Sequence, residues 1–373
     1  MAKANKKKQD NNYKIDIGLG NDAFLDHYVF GDTDLRIEEL MGDPIDTGII
    51  PLNIILNGGI RDGDILMLYS AEGIGKTTIA LQTCRKLIEG QGRKVMYVDV
   101  ESGIRNQLVD FKLVQHYKDG NFRFVDNFKT VGEVEKLFDS ILAKPTLPFD
   151  VIVLDSITNL LDDSILTRSV IDPMMCGQAK AVTAFLQKYR VLFKERGIIT
   201  FLINQERANL DAKTKYDPKS IVAGCRALKY VPDVILKLGK GEAIKEFRET
   251  INGLEEVEIG RYLKVVADKN RKCNAKIPVT FPLRFGVGIS NIWFLTKILK
   301  DKEYVKQAGA YFKTSIIPNP SGGDWSLKGK LGLETWVDAN YDAIKTFLDK
   351  EGVFKLILEK DELAITEEED EFQ

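Results

Sequence analysis

Between residues 48 and 288, short apolar runs alternate with stretches of helical spacing. "DILMLYS", "KVMYVDVE", "FDVIVLDSITNLL" and "GIITFLINQE" each carry a compact apolar block of strand length. Between them, "KTTIALQTCRKLIEG", residues 131–142 and residues 177–196 repeat apolar positions at helical intervals, the mark of a helix with one buried face. Strands that are apolar throughout and joined by helices form a parallel sheet covered on both sides. The pattern therefore predicts an α/β core, with its first helix closed by Gly90. After Val231 the runs shorten to "DVILKLGK", "GRYLKVVADKN" and "KIPVTFPLRF", which read as an antiparallel extension of the same sheet. From residue 289 helical spacing returns, interrupted by "IPNPSGGDW", and predicts a small C-terminal α/β domain over 289–360. Residues 1–47 read as an N-terminal arm or oligomerisation segment, with a lysine-rich polar start and a helix at 23–30 or 37–41 ahead of Pro44. Residues 361–373 carry seven acids and no base, the composition of a solvated tail.

Composition narrows the classes. With 44% hydrophobic and 29% charged residues the chain reads as an ordinary globular protein. Its net charge of −2 gives no whole-chain nucleic-acid footprint, so any basic surface has to be local. The four cysteines stand far apart and there are only two histidines, which argues against a disulfide framework and against zinc. Reduced thiols fit a cytoplasmic setting. No apolar run reaches the ~18 residues of a membrane span, and no signal-peptide core follows the first lysines.

The chemistry begins at "YSAEGIGKTTIA". A phosphate loop presents successive backbone N–H groups at a helix N-terminus, a lysine for the phosphates and a hydroxyl for Mg²⁺. Gly75, Lys76 and Thr77 supply the second half of that pattern, followed by Thr78, and Gly73 frees the turn. Ser70 replaces the usual first glycine, ahead of Ala71, Glu72 and Ile74. A strand-ending acid facing the metal shell is the second requirement, and Asp155 in "VIVLDS" fills it. Glu101 ends "VMYVDVE" where an acid points into the crevice of such a sheet and is placed to polarise a water. Asp99 shares its phase, and capping a loop is the simpler role for either acid.

These stretches, taken with "DTGIIPLNIILNGGIRDGD", "ITFLINQERAN", "GCRALKYVPDVILKL" and "VVADKNRK", resemble the RecA/RadA recombinases across residues 48–288. The divergent sequence and acidic end look more like bacteriophage relatives of RecA than a typical bacterial member. The resemblance implies a RecA-like ATPase core that uses ATP and Mg²⁺. Ser70 to Thr78 would hold the nucleotide, with Lys76 on its phosphates, and Thr77 and Asp155 would serve the metal. Glu101 aligns with the catalytic glutamate. Gln205 aligns with the glutamine that senses the γ-phosphate and reports to a DNA-binding loop. That loop spans 206–229, and its own composition agrees: Arg207, Lys213, Lys215, Lys219, Arg226 and Lys229 against three acids, with Gly224 among small residues. A weaker first DNA loop lies at 163–177, with Arg168 in it and Lys180 just beyond. Lys269 and Arg271 match a basic pair that reaches across a subunit interface to the neighbour's ATP, and Tyr230 matches an aromatic at that interface.

Two departures stand out. Arg271 replaces a lysine, and Arg105 to Leu108 replace the run that normally holds the adenine. The implied activity is a DNA-dependent ATPase that forms a helical filament on single-stranded DNA and exchanges strands with double-stranded DNA, alongside a single-strand binding protein and a loader. A RecA-fold hexameric helicase and a non-catalytic recombination mediator are the alternatives.

Overall fold

The computed structural model describes residues 42–166, 177–208, 220–251, 253–273 and 278–355. The predicted helices at 23–30 and 37–41, the lysine-rich start and the acidic residues 361–373 lie outside the described residues. The described residues from Pro44 onward form one compact unit. Its first half runs α1 (Ile50–Ile55), β1 (Ile65–Ser70), α2 (Lys76–Gln91), β2 (Val95–Asp99), α3 (Gln107–Asp110), α4 (Val114–Lys118), β3 (Phe122–Val125), α5 (Val131–Leu142), β4 (Val151–Asp155) and α6 (Gly177–Glu195). There follow β5 (Ile199–Ala208), β6 (Ser220–Val222), α7 (Ala227–Tyr230), β7 (Val234–Thr250), β8 (Gly253–Asn270), β9 (Pro278–Arg284) and β10 (Gly288–Ile289). The chain then adds α8 (Asn291–Asp301), β11 (Lys306–Ala308), β12 (Tyr311–Thr314), β13 (Trp325–Lys328), α9 (Gly329–Ala339) and α10 (Tyr341–Lys350).

The main sheet is ordered β10-β9-β8-β7-β1-β5-β4-β2-β3, with β6 paired to β5. From β7 to β3 all neighbours are parallel, as predicted for β1, β2, β4 and β5. Strand β7, expected in the antiparallel extension, instead pairs parallel with β1, and the antiparallel pairing starts between β7 and β8. Both faces are covered because successive side chains of a strand point to opposite sides. Leu66 and Leu68 of β1 join Ile79, Leu87 and the C-terminal Leu333, Trp336, Ile344 and Leu348 in one apolar cluster. Ile65, Met67 and Tyr69 join Phe138 of α5 and Phe185, Tyr189 and Phe193 of α6 in the other. The C-terminal strands β11, β12 and β13 form a separate antiparallel sheet.

Two other sequence expectations change. Helix α2 runs through Gly90 and ends at Gly92, whose φ of 64° closes the helix in the left-handed conformation. Strands β7 and β8 are also far longer than their apolar runs, at 17 and 18 residues. Their distal halves pair across the polar stretch between Gly239 and Ile259. That ribbon is largely exposed, so it lacks the alternation by which a half-buried strand is recognised.

Candidate active site

The strand order brings the C-terminal ends of β1, β5, β4 and β2 side by side. Residues 71–75 leave β1 there and enter α2 directly at Lys76. Gly73 and Gly75 take φ of 70° and 114°, conformations that L side chains adopt only under strain. A Cβ on Gly73 would meet nothing within 4 Å, so the turn lies open to a ligand. Ala71 and Glu72 are exposed, while Ile74, Thr77 and Thr78 are half-buried.

Ser70 needs no glycine-like backbone. It is the last residue of β1, fully buried and paired in register with Gln205. Its hydroxyl takes part in holding the lysine. Lys76 Nζ donates to Ser70 Oγ at 3.1 Å, Ser70 O at 3.2 Å and Ala71 O at 2.8 Å. Burial pushes the Lys76 ammonium below its ordinary pKa, and Asp155 and Glu101 oppose the shift.

Asp155 closes β4. Its Oδ2 accepts from Thr77 Oγ1 at 2.9 Å and from Tyr97 OH at 2.6 Å. Burial drives the Asp155 carboxyl up to about 6, and these two donors restrain the rise. A hydroxyl and a carboxylate in contact are the hard oxygen donors that Mg²⁺ takes, so the residues present fit that ion. Tyr97 escapes sequence reasoning. The available signal is that a buried tyrosine hydroxyl needs a partner, and Tyr97 lies one strand from the strand-ending acid.

Glu101 follows β2, and its Oε1 accepts from Gln205 Nε2 at 3.0 Å and from Asn159 Nδ2 at 3.0 Å. Asn159 is likewise absent from the sequence reading, because no motif marks it. Asp99 is buried and accepts from Ile104 N at 3.0 Å, so it caps the turn carrying Glu101. Arg105 is engaged by Asp126, at 2.7 Å from its Nε.

Gln205 also reaches the opposite way. Its carbonyl accepts from Ala223 N at 3.0 Å, just beyond β6, and Asn204 Nδ2 donates to Ala223 O at 3.0 Å. The expected irregular loop at 206–229 is therefore structured at both described ends. β5 and β6 form an antiparallel ladder from Glu206 to Ala208, and α7 closes the segment. Arg207 and Arg226 are exposed at its base. Gly224 has φ of 96°, and a Cβ there would sit 2.8 Å from Leu228 and 3.2 Å from Thr158. Lys213, Lys215, Lys219 and Arg168 lie outside the described residues. Lys180 is exposed in the first turn of α6.

Lys269, Arg271 and Tyr230 meet elsewhere. Lys269 Nζ donates to the carbonyls of Tyr230 at 2.7 Å and Pro232 at 2.6 Å. Arg271 pairs with Asp233 at 2.7 Å, and Asp233 N donates to Ile65 O at 2.8 Å. Both cations are thus held at the leading end of β1, whereas the phosphate loop leaves from its far end, about 17 Å away at strand spacing. Tyr230 is 67% exposed beside them.

Comparison with known proteins places the chain in a family. The chain matches the RecA N-terminal domain family over residues 29–290. Protein RecA of Clostridioides difficile is 26% identical over 300 residues, covering 79% of this chain and 81% of that one. Protein RecA of Gloeobacter violaceus is 25% identical over 281 residues, covering 75% and 70%. Among solved structures, a RadB recombinase overlaps 65% of this chain and 97% of its own at 22% identity, with a TM-score of 0.45. A KaiC-like protein from Pyrococcus horikoshii does so over 66% and 97% at 19% identity, with a TM-score of 0.43. With the family match covering most of its length, the chain belongs to the RecA family.

Proposed function

We propose that this protein is an ATP-dependent DNA recombinase of the bacteriophage type, assembling as a helical filament on single-stranded DNA and exchanging strands with a homologous duplex. One observation carries the reading. Gln205 contacts the candidate catalytic carboxylate Glu101 through its side chain and the basic β5–β6 hairpin through its carbonyl. A residue joined to both places can transmit the state of one to the other.

In this reading the N–H groups of residues 71–76 and the Lys76 ammonium bind the triphosphate at the N-terminus of α2. Thr77 and Asp155 hold Mg²⁺, which supplies charge neutralisation among the phosphate oxygens. Glu101 orients the attacking water and accepts its proton. Arg207, Arg226 and the lysines of 206–229 contact the strand's phosphates. Lys269 and Arg271 serve the nucleotide of a neighbouring subunit, since both sit at the wrong end of β1 for their own. A head-to-tail contact of that kind generates a filament unless the rotation closes into a ring. The low identity to bacterial RecA and the acidic residues 361–373 support the bacteriophage type.

The test is a joint-molecule assay with homologous and heterologous DNA, with and without ATP, run beside ATPase measurements. ATP-dependent joints with homologous DNA alone are expected. Glu101→Ala should abolish turnover, while Gln205→Ala should keep ATP binding and lose DNA stimulation. Closed rings alone in electron micrographs would point to a helicase, and a wild type without turnover to a mediator.

A further inference from the structure

We infer that Asn159 is a positioning residue for Glu101: together with Gln205 it holds one carboxylate oxygen and leaves the other free for water. The inference rests on the ATPase reading above and adds a residue to it. Both amide nitrogens lie 3.0 Å from the same oxygen, Glu101 Oε1. A carboxylate only accepts, so the amide groups must present N–H to it. Glu101 is exposed and lies beyond the end of β2, where a glutamate alone would sample several rotamers. Two donors arriving from different elements, Gln205 from β5 and Asn159 from the short turn after β4, restrain its orientation, as a reacting group must be restrained.

Asn159 is itself rigidly based. Ile157 and Leu160, on either side, are fully buried. Gln178 Nε2 donates to Thr158 O at 3.1 Å and to Leu160 O at 2.7 Å, bracketing the residue. Gln178 stands in the first turn of α6. Glu101 is thereby tied through Gln205 to β5 and its hairpin, and through Asn159 to the segment that α6 anchors.

The experiment compares Asn159→Ala and Asn159→Asp with wild type in the full chain, measuring kcat and KM for ATP at saturating single-stranded DNA. Asn159→Ala should lower kcat about tenfold with KM within about twofold, the split expected of lost orientation. Asn159→Asp should lower it further, because a second carboxylate then faces Glu101. Thermal midpoints should not move, since the side chain is exposed. Rates within about twofold of wild type in both variants, or losses that follow a fallen midpoint, would overturn the inference. Side-chain amide resonances in protein labelled with ¹⁵N on Asn and Gln give a readout independent of turnover. Glu101→Ala should shift both the Asn159 and Gln205 signals. An unmoved Asn159 signal sinks the contact whatever the ATPase shows. A wild type without turnover whose signals do shift sinks only the ATPase reading.

Discussion

At the scale of single residues, the site stores an electrostatic cost in the free protein. Asp155 is only 4% exposed, and burial raises its carboxyl to about 6. A raised acid pKa means that the folded state binds its proton more tightly than the unfolded chain does. Stability from this group is therefore full below about pH 4, falls as pH rises to about 6, and stays low above it. Asp155→Asn should accordingly stabilise the nucleotide-free, chelated protein at pH 7.5 by on the order of 2 kcal/mol, with little gain near pH 4. Urea unfolding at the two pH values reads the difference. The sequence pattern points to Lys76, Thr77, Asp155 and Glu101, because each stands at a strand end or in a loop pattern that phosphate chemistry demands, whereas only the family resemblance marks Gln205. It marks Ser70 only as a replacement for the usual glycine, since a motif records the usual residue and says nothing of a hydroxyl's partner. Tyr97 and Asn159 stayed hidden for a related reason: their roles depend on which strands are neighbours.

At the scale of elements, regular buried segments were legible and exposed ones were not. α5 is read from its apolar stripe at helical spacing, and the structure adds the reason for its start: Thr130 caps it, with Glu133 completing a reciprocal capping box. The distal β7–β8 ribbon buries little beyond Ile244 and Ile259, too little to imprint a period, and carries exposed ion pairs such as the cross-strand Lys245–Glu256 at 3.0 Å. The end of α2 is a sharper case, since Gly90 and Gly92 both qualify in sequence. Only Gly92 has positive φ, and a Cβ there would meet nothing within 4 Å. Gly92→Ala should thus cost about 1 kcal/mol from backbone strain alone. Gly90→Ala lies within the helix and should be neutral or stabilising by up to about 1 kcal/mol. Thermal melts of the two variants separate the sites.

For the whole molecule, the filament proposed above makes a complete site the property of two subunits, with Lys269 and Arg271 serving the neighbour's nucleotide. Lys76→Ala and Lys269→Ala variants should each lose turnover alone. Mixed in equal amounts before filament assembly, they should recover about a quarter of wild-type ATPase, since one junction in four joins an intact loop to an intact cation. No recovery would place Lys269 outside the neighbour's site. The sequence could order the motifs along the chain, but which end of β1 each one occupies follows only from the sheet. The hydrogen bonds of the Lys76 loop also bear on nucleotide selection in the activity proposed above. Lys76 is already surrounded by three oxygens from Ser70 and Ala71, so a ligand does not rescue an unsatisfied cation. Nucleotide binding is an exchange of one oxygen shell for another, and its free energy is the difference between the two. A ligand with one phosphate gains little over what the loop supplies, whereas a triphosphate brings several charged oxygens at once, so the loop's own bonds favour the ligand that carries the most charge.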